Sequence, residues 1–229
     1  MPKKILVIDI GGSNVKLMLS RANKRKFESG PEMTPREMMA AMKPLLTGWK
    51  FDAVSVGFPA PVRSGRILSD PKNLGVGWTR FDFEKSLGKP VRVVNDAAMQ
   101  ALGSYRGGRM LFLGLGTGLG STLVWTKTVL PLELGDLPYT ADAIIEDYLG
   151  KAGLKRLGET EWERRVRAAV LRLKQAFIAD YVVLGGSGAK KFRNLPDGIE
   201  LGHNRNAYLG GVRLWQMDRR TRRPRWHIM

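Results

Sequence analysis

One arrangement occurs twice in this chain, and it limits what the chain can fold into. Lys4 to Ile10 is an apolar, β-branched run that stops at Gly11-Gly12, and strand character resumes at once from Val15 to Leu19. Met110 to Leu115 repeats the pattern: a turn spelled Gly114-Leu115-Gly116-Thr117-Gly118-Leu119-Gly120 follows, then Ser121 to Trp125. Each half therefore opens as strand, glycine-rich turn, strand. The pseudo-repeat predicts two related lobes facing each other across a cleft, 1–106 and 107–217, with a basic tail over 218–229. At 229 residues each lobe can bury a core of its own.

The intervening segments read as alternating helices and strands. Thr34-Pro35-Arg36-Glu37 has the composition of a capping box with proline at the first helical position, and Met38, Met42, Leu45 and Leu46 continue it to about Gly48. Ala53 to Phe58 and Val91 to Val94 are short buried-strand candidates, and Asn95-Asp96 opens a helix through Leu102. A second capping box is expected at Thr160 to Glu163, before a long helix with Val166, Val170, Leu173 and Phe177 on its apolar stripe. Tyr181 to Leu184 is a strand, Gly185 to Gly188 a turn, and Asn206 to Trp215 a closing helix. The arginine-rich tail after it is expected to be poorly ordered.

Charge narrows the choice of partners. There are 38 basic residues against 21 acidic ones, a formal +17, and such a surface gathers polyanions. Inorganic polyphosphate and nucleic acid both qualify, and a solvated basic surface without a partner is the plainer alternative. Cysteine is absent, which excludes disulfides and thiolate metal sites. His203 and His227 are the only histidines, so a histidine metal site is not expected. The apolar run after the first lysines is too short for a secretory signal and Asp9 interrupts it; no segment suits a bilayer. A cytoplasmic protein is expected.

Several residues could carry chemistry. In the first turn, Asp9, Gly11, Gly12, Ser13 and Lys16 combine an acid, converging backbone N–H groups, a hydroxyl and a cation, suited to a phosphate with Asp9 holding hydrated magnesium. A plain hairpin explains Gly-Gly equally well. Gly116, Thr117 and Gly118 could approach a phosphate from the other half. Asp96 stands where a strand hands over to a helix, where functional side chains and helix caps both concentrate. Glu133 and Asp136 could accept paired hydrogen bonds from sugar hydroxyls, or simply form a polar turn. Asn73 and Trp78 could offer a sugar an amide and a ring, or be loop and core.

Taken in order, the segments IDIGGSNVK, VVNDAAMQALG, FLGLGTGLGSTLV, ELG and VVLGGSGA resemble the ROK family of sugar kinases and sugar-responsive repressors. The resemblance runs from residue 4 to about residue 215 and implies a two-lobed actin/hexokinase-like (ribonuclease H-like) α/β ATPase fold. It implies that Asp96 takes the proton of a hexose 6-hydroxyl, that Asn95 and Glu133 bind the ring, and that Asn73 and Glu146 assist. Gly12, Ser13 and Lys16 would face the donor phosphates with Gly116, Thr117 and Gly118, and Gly185, Gly186 and Ser187 would lie beside a nucleotide. Magnesium would neutralise the group in transfer.

The chain departs from the family pattern at Asp136, where His usually follows Glu-x-Gly, and in lacking the cysteine-rich zinc motif. No zinc is therefore expected. Zinc-less members include polyphosphate glucokinases, so polyphosphate, ATP or both are the expected donors to glucose or a related hexose. Repressor members carry a DNA-binding domain ahead of the first motif, which here starts at residue 9, so nucleic acid is not the expected partner. A homodimer would suit the family. The alternative is a non-catalytic sugar-sensing or nucleic-acid-binding protein that keeps the fold.

Overall fold

The computed structural model describes residues 4–203 and 205–229. The first half contains β1 (Ile5–Ile10), β2 (Asn14–Met18), β3 (Lys24–Glu28), α1 (Pro35–Leu45), β4 (Ala53–Phe58), the small hairpin β5 (Val62–Arg63) and β6 (Arg66–Ile67), α2 (Phe83–Leu87), β7 (Val91–Asn95) and α3 (Asp96–Ser104). The second contains β8 (Arg109–Leu115), β9 (Leu119–Trp125), β10 (Thr128–Leu132), β11 (Pro138–Thr140), β12 (Ala143–Ile144), α4 (Ile145–Leu149), α5 (Lys151–Leu157) and α6 (Glu159–Ala176). It finishes with β13 (Tyr181–Gly185), β14 (Ile199–Leu201), α7 (Asn206–Arg213) and β15 (His227–Ile228).

Two sheets organise these elements. The first runs β3-β2-β1-β4-β7 and the second β14-β13-β8-β9-β10-β15. Each has an antiparallel hairpin at its glycine turn, β1 with β2 and β8 with β9, and parallel neighbours on the other side. β1 and β4 are buried along their whole length, as their unbroken apolar runs require when both faces are covered. The parallel strands end at Asp9-Ile10, Phe58 and Asn95 in one sheet and at Leu115 and Gly185 in the other. Those carboxyl ends are where an α/β sheet places its ligand.

Between the sheets lie α3 and α7. Their shared core joins Val7 and Met18 of the first sheet to Phe112, Val124 and Val183 of the second. The helices meet backbone to backbone. A Cβ added at Gly103 would strike the Asn206 carbonyl, and one at Gly210 the Met99 carbonyl. A second core under α1 and α2 closes the outer face of the first sheet, and a third under α4, α5 and α6 that of the second.

Local signals act largely as their chemistry dictates. Thr34 caps α1 with a full capping box: Glu37 accepts from the Thr34 N–H at 2.8 Å. α1 ends at Leu45 rather than near Gly48. The box expected at Thr160 is not formed, because Gly158, at φ 76°, ends α5 and starts α6 directly, leaving Thr160 inside the first turn. The tail is also ordered, contrary to expectation. β15 pairs in parallel with β10, Trp226 packs edge-on against Tyr105 at 5.7 Å, and Lys127 reaches Asp218 at 2.7 Å. Trp226 and Ile228 supply the apolar surface that its arginines lack. Among the described residues no helix is long and apolar enough to cross a membrane.

Gly210→Ala should lower stability by about 1–3 kcal/mol, since the new methyl has only backbone to displace. A urea titration should show a lower midpoint with unchanged slope. An unchanged midpoint would mean that the close helix crossing is not required.

Candidate active site

The first turn is built by strand register. Asp9 on β1 stands opposite Lys16 on β2, and the lysine Nζ lies 3.1 Å from the Asp9 carboxylate. Asp9 is 7% exposed, whereas Lys16 and Ser13 are open to solvent. The Gly11 N–H donates to the Asn14 carbonyl at 3.0 Å and closes the loop. Gly12 is glycine for a reason of contact: an added Cβ would sit 2.7 Å from the Asn73 Cβ. The segment carrying Asn73 thus packs directly on the turn.

The second turn is drawn in from two directions. Gly120 lies against α3, where an added Cβ would come 2.8 Å from that of Ala97. Gly118 lies against Glu146, whose carboxylate leaves no room for a side chain there and accepts from the Leu119 N–H at 3.2 Å. An added Cβ at Gly116 would meet open space, while its N–H donates to the Gly118 carbonyl at 3.0 Å and its carbonyl accepts from the Lys151 N–H at 3.2 Å, which holds the turn in shape.

Asn95 and Asp96 divide two roles between them. The Asn95 side chain caps α3 by accepting from the Ala98 N–H at 3.2 Å, and its amide donates to the Ala60 carbonyl at 3.3 Å. Asp96 keeps a partly exposed edge in the cleft and accepts from the Ala97 N–H at 2.7 Å. Burial pushes its carboxyl up to about 7, aided by the charges of Asp9 and Glu133, against the Ala97 N–H and Lys16. The group therefore changes charge near neutrality. Because the folded value lies above the usual 3.8, this carboxyl favours folding at acid pH, and that contribution is lost as pH rises through 7.

A cleft of about 380 Å³ brings the two halves of the site together. Gly11, Gly12, Asn73, Asn95 and Asp96 line it from the first half. Gly116, Thr117, Gly118, Glu133, Asp136, Glu146 and Gly186 line it from the second. Asp9 and Lys16 lie beside it without lining it, as does Ser13. Gly185 is buried against the Phe112 ring, and exposed Ser187 precedes a short turn at Gly188–Lys191. Glu133 directly follows β10, and Leu134–Asp136 form a short helical turn. Trp78 is core: it is fully buried among Phe58, Phe81 and Phe83 and offers no ring to a ligand.

Sequence reasoning missed Lys72, whose Nζ lies 3.3 Å from Asp136 and 3.8 Å from Glu146. Nothing in the Pro-Lys-Asn turn announces that contact. A larger groove of about 1040 Å³ runs along β7, between the β5–β6 hairpin and the tail, and contains none of the glycine turns or expected carboxylates.

The ROK family model matches residues 5–130. The chain belongs to the ROK family. A curated relative, the glucokinase of Pyrobaculum calidifontis, is 28% identical over 149 residues, which span 62% of this chain and 46% of that protein. The chain thus matches less than half of that relative's length. Among solved structures, the inorganic polyphosphate/ATP-glucomannokinase from Arthrobacter sp. strain KM superposes with a TM-score of 0.76 at 22% identity, over 91% of this chain and 96% of that one. A ROK family glucokinase from Streptomyces griseus with glucose and AMPPNP gives 0.71 at 17%, covering 91% and 98%. A ROK family transcriptional regulator, a homolog of the E. coli MLC protein, gives 0.70 at 14%, covering 91% and 77%. These likenesses establish the two-lobed actin/hexokinase-like fold, which enzymes and a regulator share.

A carboxyl-carbon NMR titration should place the Asp96 midpoint near 7, and Asp9→Asn should move it down by removing a nearby negative charge. A midpoint near 4 in both proteins would contradict this electrostatic reading.

Proposed function

We propose that this protein is a sugar kinase that transfers a phosphoryl group from ATP, polyphosphate or both to the 6-hydroxyl of glucose or a related hexose. One observation carries the reading. A single carboxyl poised near neutrality lies in a cleft with glycine turns on two sides and a cluster of carboxylates at one end. Asn73, Asn95, Glu133, Asp136 and Glu146 would hold the ring hydroxyls, and Asp96 would receive the proton of the attacking one. A base titrating near 7 is ionised in a useful fraction while remaining basic enough to accept that proton.

The donor end is read the same way. Gly11, Gly12 and Ser13 with Lys16 would hold the phosphates against Gly116, Thr117 and Gly118, and Gly185, Gly186 and Ser187 would flank a nucleotide. Magnesium fits this arrangement. Asp9 is a buried carboxylate whose charge acts on Asp96, and Lys16 is the one cation paired with it among the described residues. No group of three or more histidine, cysteine or acidic residues among them could hold an ion by itself. Magnesium commonly relies on one or two carboxylates and the substrate's phosphates. Bound at Asp9 through water, it would neutralise charge on the phosphoryl group in transfer. The formal +17 supports polyphosphate as one donor, and a cytoplasmic homodimer belongs to the same reading.

Glucose phosphorylation should be measured with magnesium and each donor, for the protein and for Asp96→Asn. The variant should bind glucose yet lose about 10²–10⁴-fold in turnover. Wild-type turnover retained in the variant would remove Asp96 as base. Hexose binding with no turnover on any donor would support a sugar-sensing role instead.

A further inference from the structure

The cleft contains one cation that none of the roles above employs. Lys72 lies between β6 and the turn at Trp78, in a segment fixed from both ends. Asp70 accepts from the N–H groups of Gly77 and Trp78 at 3.1 and 2.7 Å, tying the segment to the aromatic core of the first half. Asn73 rests on Gly12 of the first glycine turn. From between these anchors the Lys72 side chain crosses to the second half and reaches Asp136 at 3.3 Å and Glu146 at 3.8 Å. Glu146 in turn holds the second glycine turn at Gly118 and Leu119. A continuous chain of contacts thus links the two turns across the cleft, with one ionic step at its middle.

The charges around that step need a cation. Burial raises the pKa of Glu133, Asp136 and Glu146 raise it further, and Lys72 opposes them. Burial also disfavours the charge on Lys72, but Glu146, Asp136 and Glu133 together raise its pKa. The side chain of Lys72 is 70% exposed, so the pair adds little to stability and its value lies in placement.

We propose that Lys72 is a positioning residue for the hexose: by joining Asp136 and Glu146 to the Asn73 segment, it sets the spacing of the sugar end and keeps those carboxylates aimed as hydroxyl acceptors. It governs hexose affinity more than donor affinity, because it touches the carboxylates directly and the glycine turns only through Glu146 and Asn73. The inference rests on the hexose-binding reading given above.

Calorimetric titrations of glucose, mannose, magnesium–AMPPNP and tripolyphosphate into wild type, Lys72→Met and Lys72→Arg test it. Lys72→Met should weaken binding of the preferred hexose about tenfold, with a smaller loss of donor binding. Lys72→Arg, which keeps the cation between Asp136 and Glu146, should stay within about threefold of wild type. Unchanged hexose affinity in Lys72→Met overturns the proposal, as does an equal loss of hexose and donor affinity, which would signal general loosening. If wild type binds neither hexose, the hexose reading itself falls and the role of Lys72 falls with it.

Discussion

The contact between α3 and α7 sets the geometry of everything else. Two glycines, Gly103 and Gly210, let the helices touch at the backbone, and the sheets close on that pair from both sides. Because α3 begins at the end of β7, its depth between the sheets decides where Asp96 stands. The second glycine turn then seats on the same helix through Gly120 and Ala97. A wider crossing would move the carboxyl and the turn together, so packing in the middle layer and chemistry in the cleft are one constraint.

Electrostatics shapes the site at two levels. The chain carries a formal +17, while the cleft collects carboxylates, Asp96, Glu133, Asp136 and Glu146 with Lys72, and Asp9 paired with Lys16 lies beside it. The acids repel, and that repulsion, added to burial, keeps Asp96 near neutrality. A phosphate donor would meet the backbone amides of the glycine turns instead of this negative floor, and a cation at Asp9 would relieve part of the repulsion. Hydroxyl-rich ligands suit the remaining carboxylates as acceptors.

Much of this was legible in the residues, for identifiable reasons. The strands β1, β4 and β8 announce themselves because central strands buried on both faces must be unbroken apolar runs. The Thr34 box and the Asn95 cap are local hydrogen-bonding patterns and need no tertiary knowledge. β3 escaped detection because its sequence, KRKFE, is that of an exposed edge strand whose charges mask its alternation. The tail looked disordered by composition, yet Trp226 and Ile228 were enough to fasten it. Lys72 and the burial of Trp78 depend on segments far apart in sequence, which no local pattern encodes. The residues of the cleft were readable as separate pieces, and only the fold brings twelve of them into one cleft, from both halves.

The account depends on Asp96 being aimed at the alcohol that reacts. A crystal structure with glucose and magnesium–AMPPNP examines that geometry without relying on turnover. The account predicts glucose among Asn95, Glu133 and Glu146 with its 6-hydroxyl about 2.6–3.2 Å from the Asp96 carboxylate, on the side facing the glycine turns. Glucose lodged instead in the groove along β7, or lying in the cleft with its 6-hydroxyl turned away from Asp96, would contradict it.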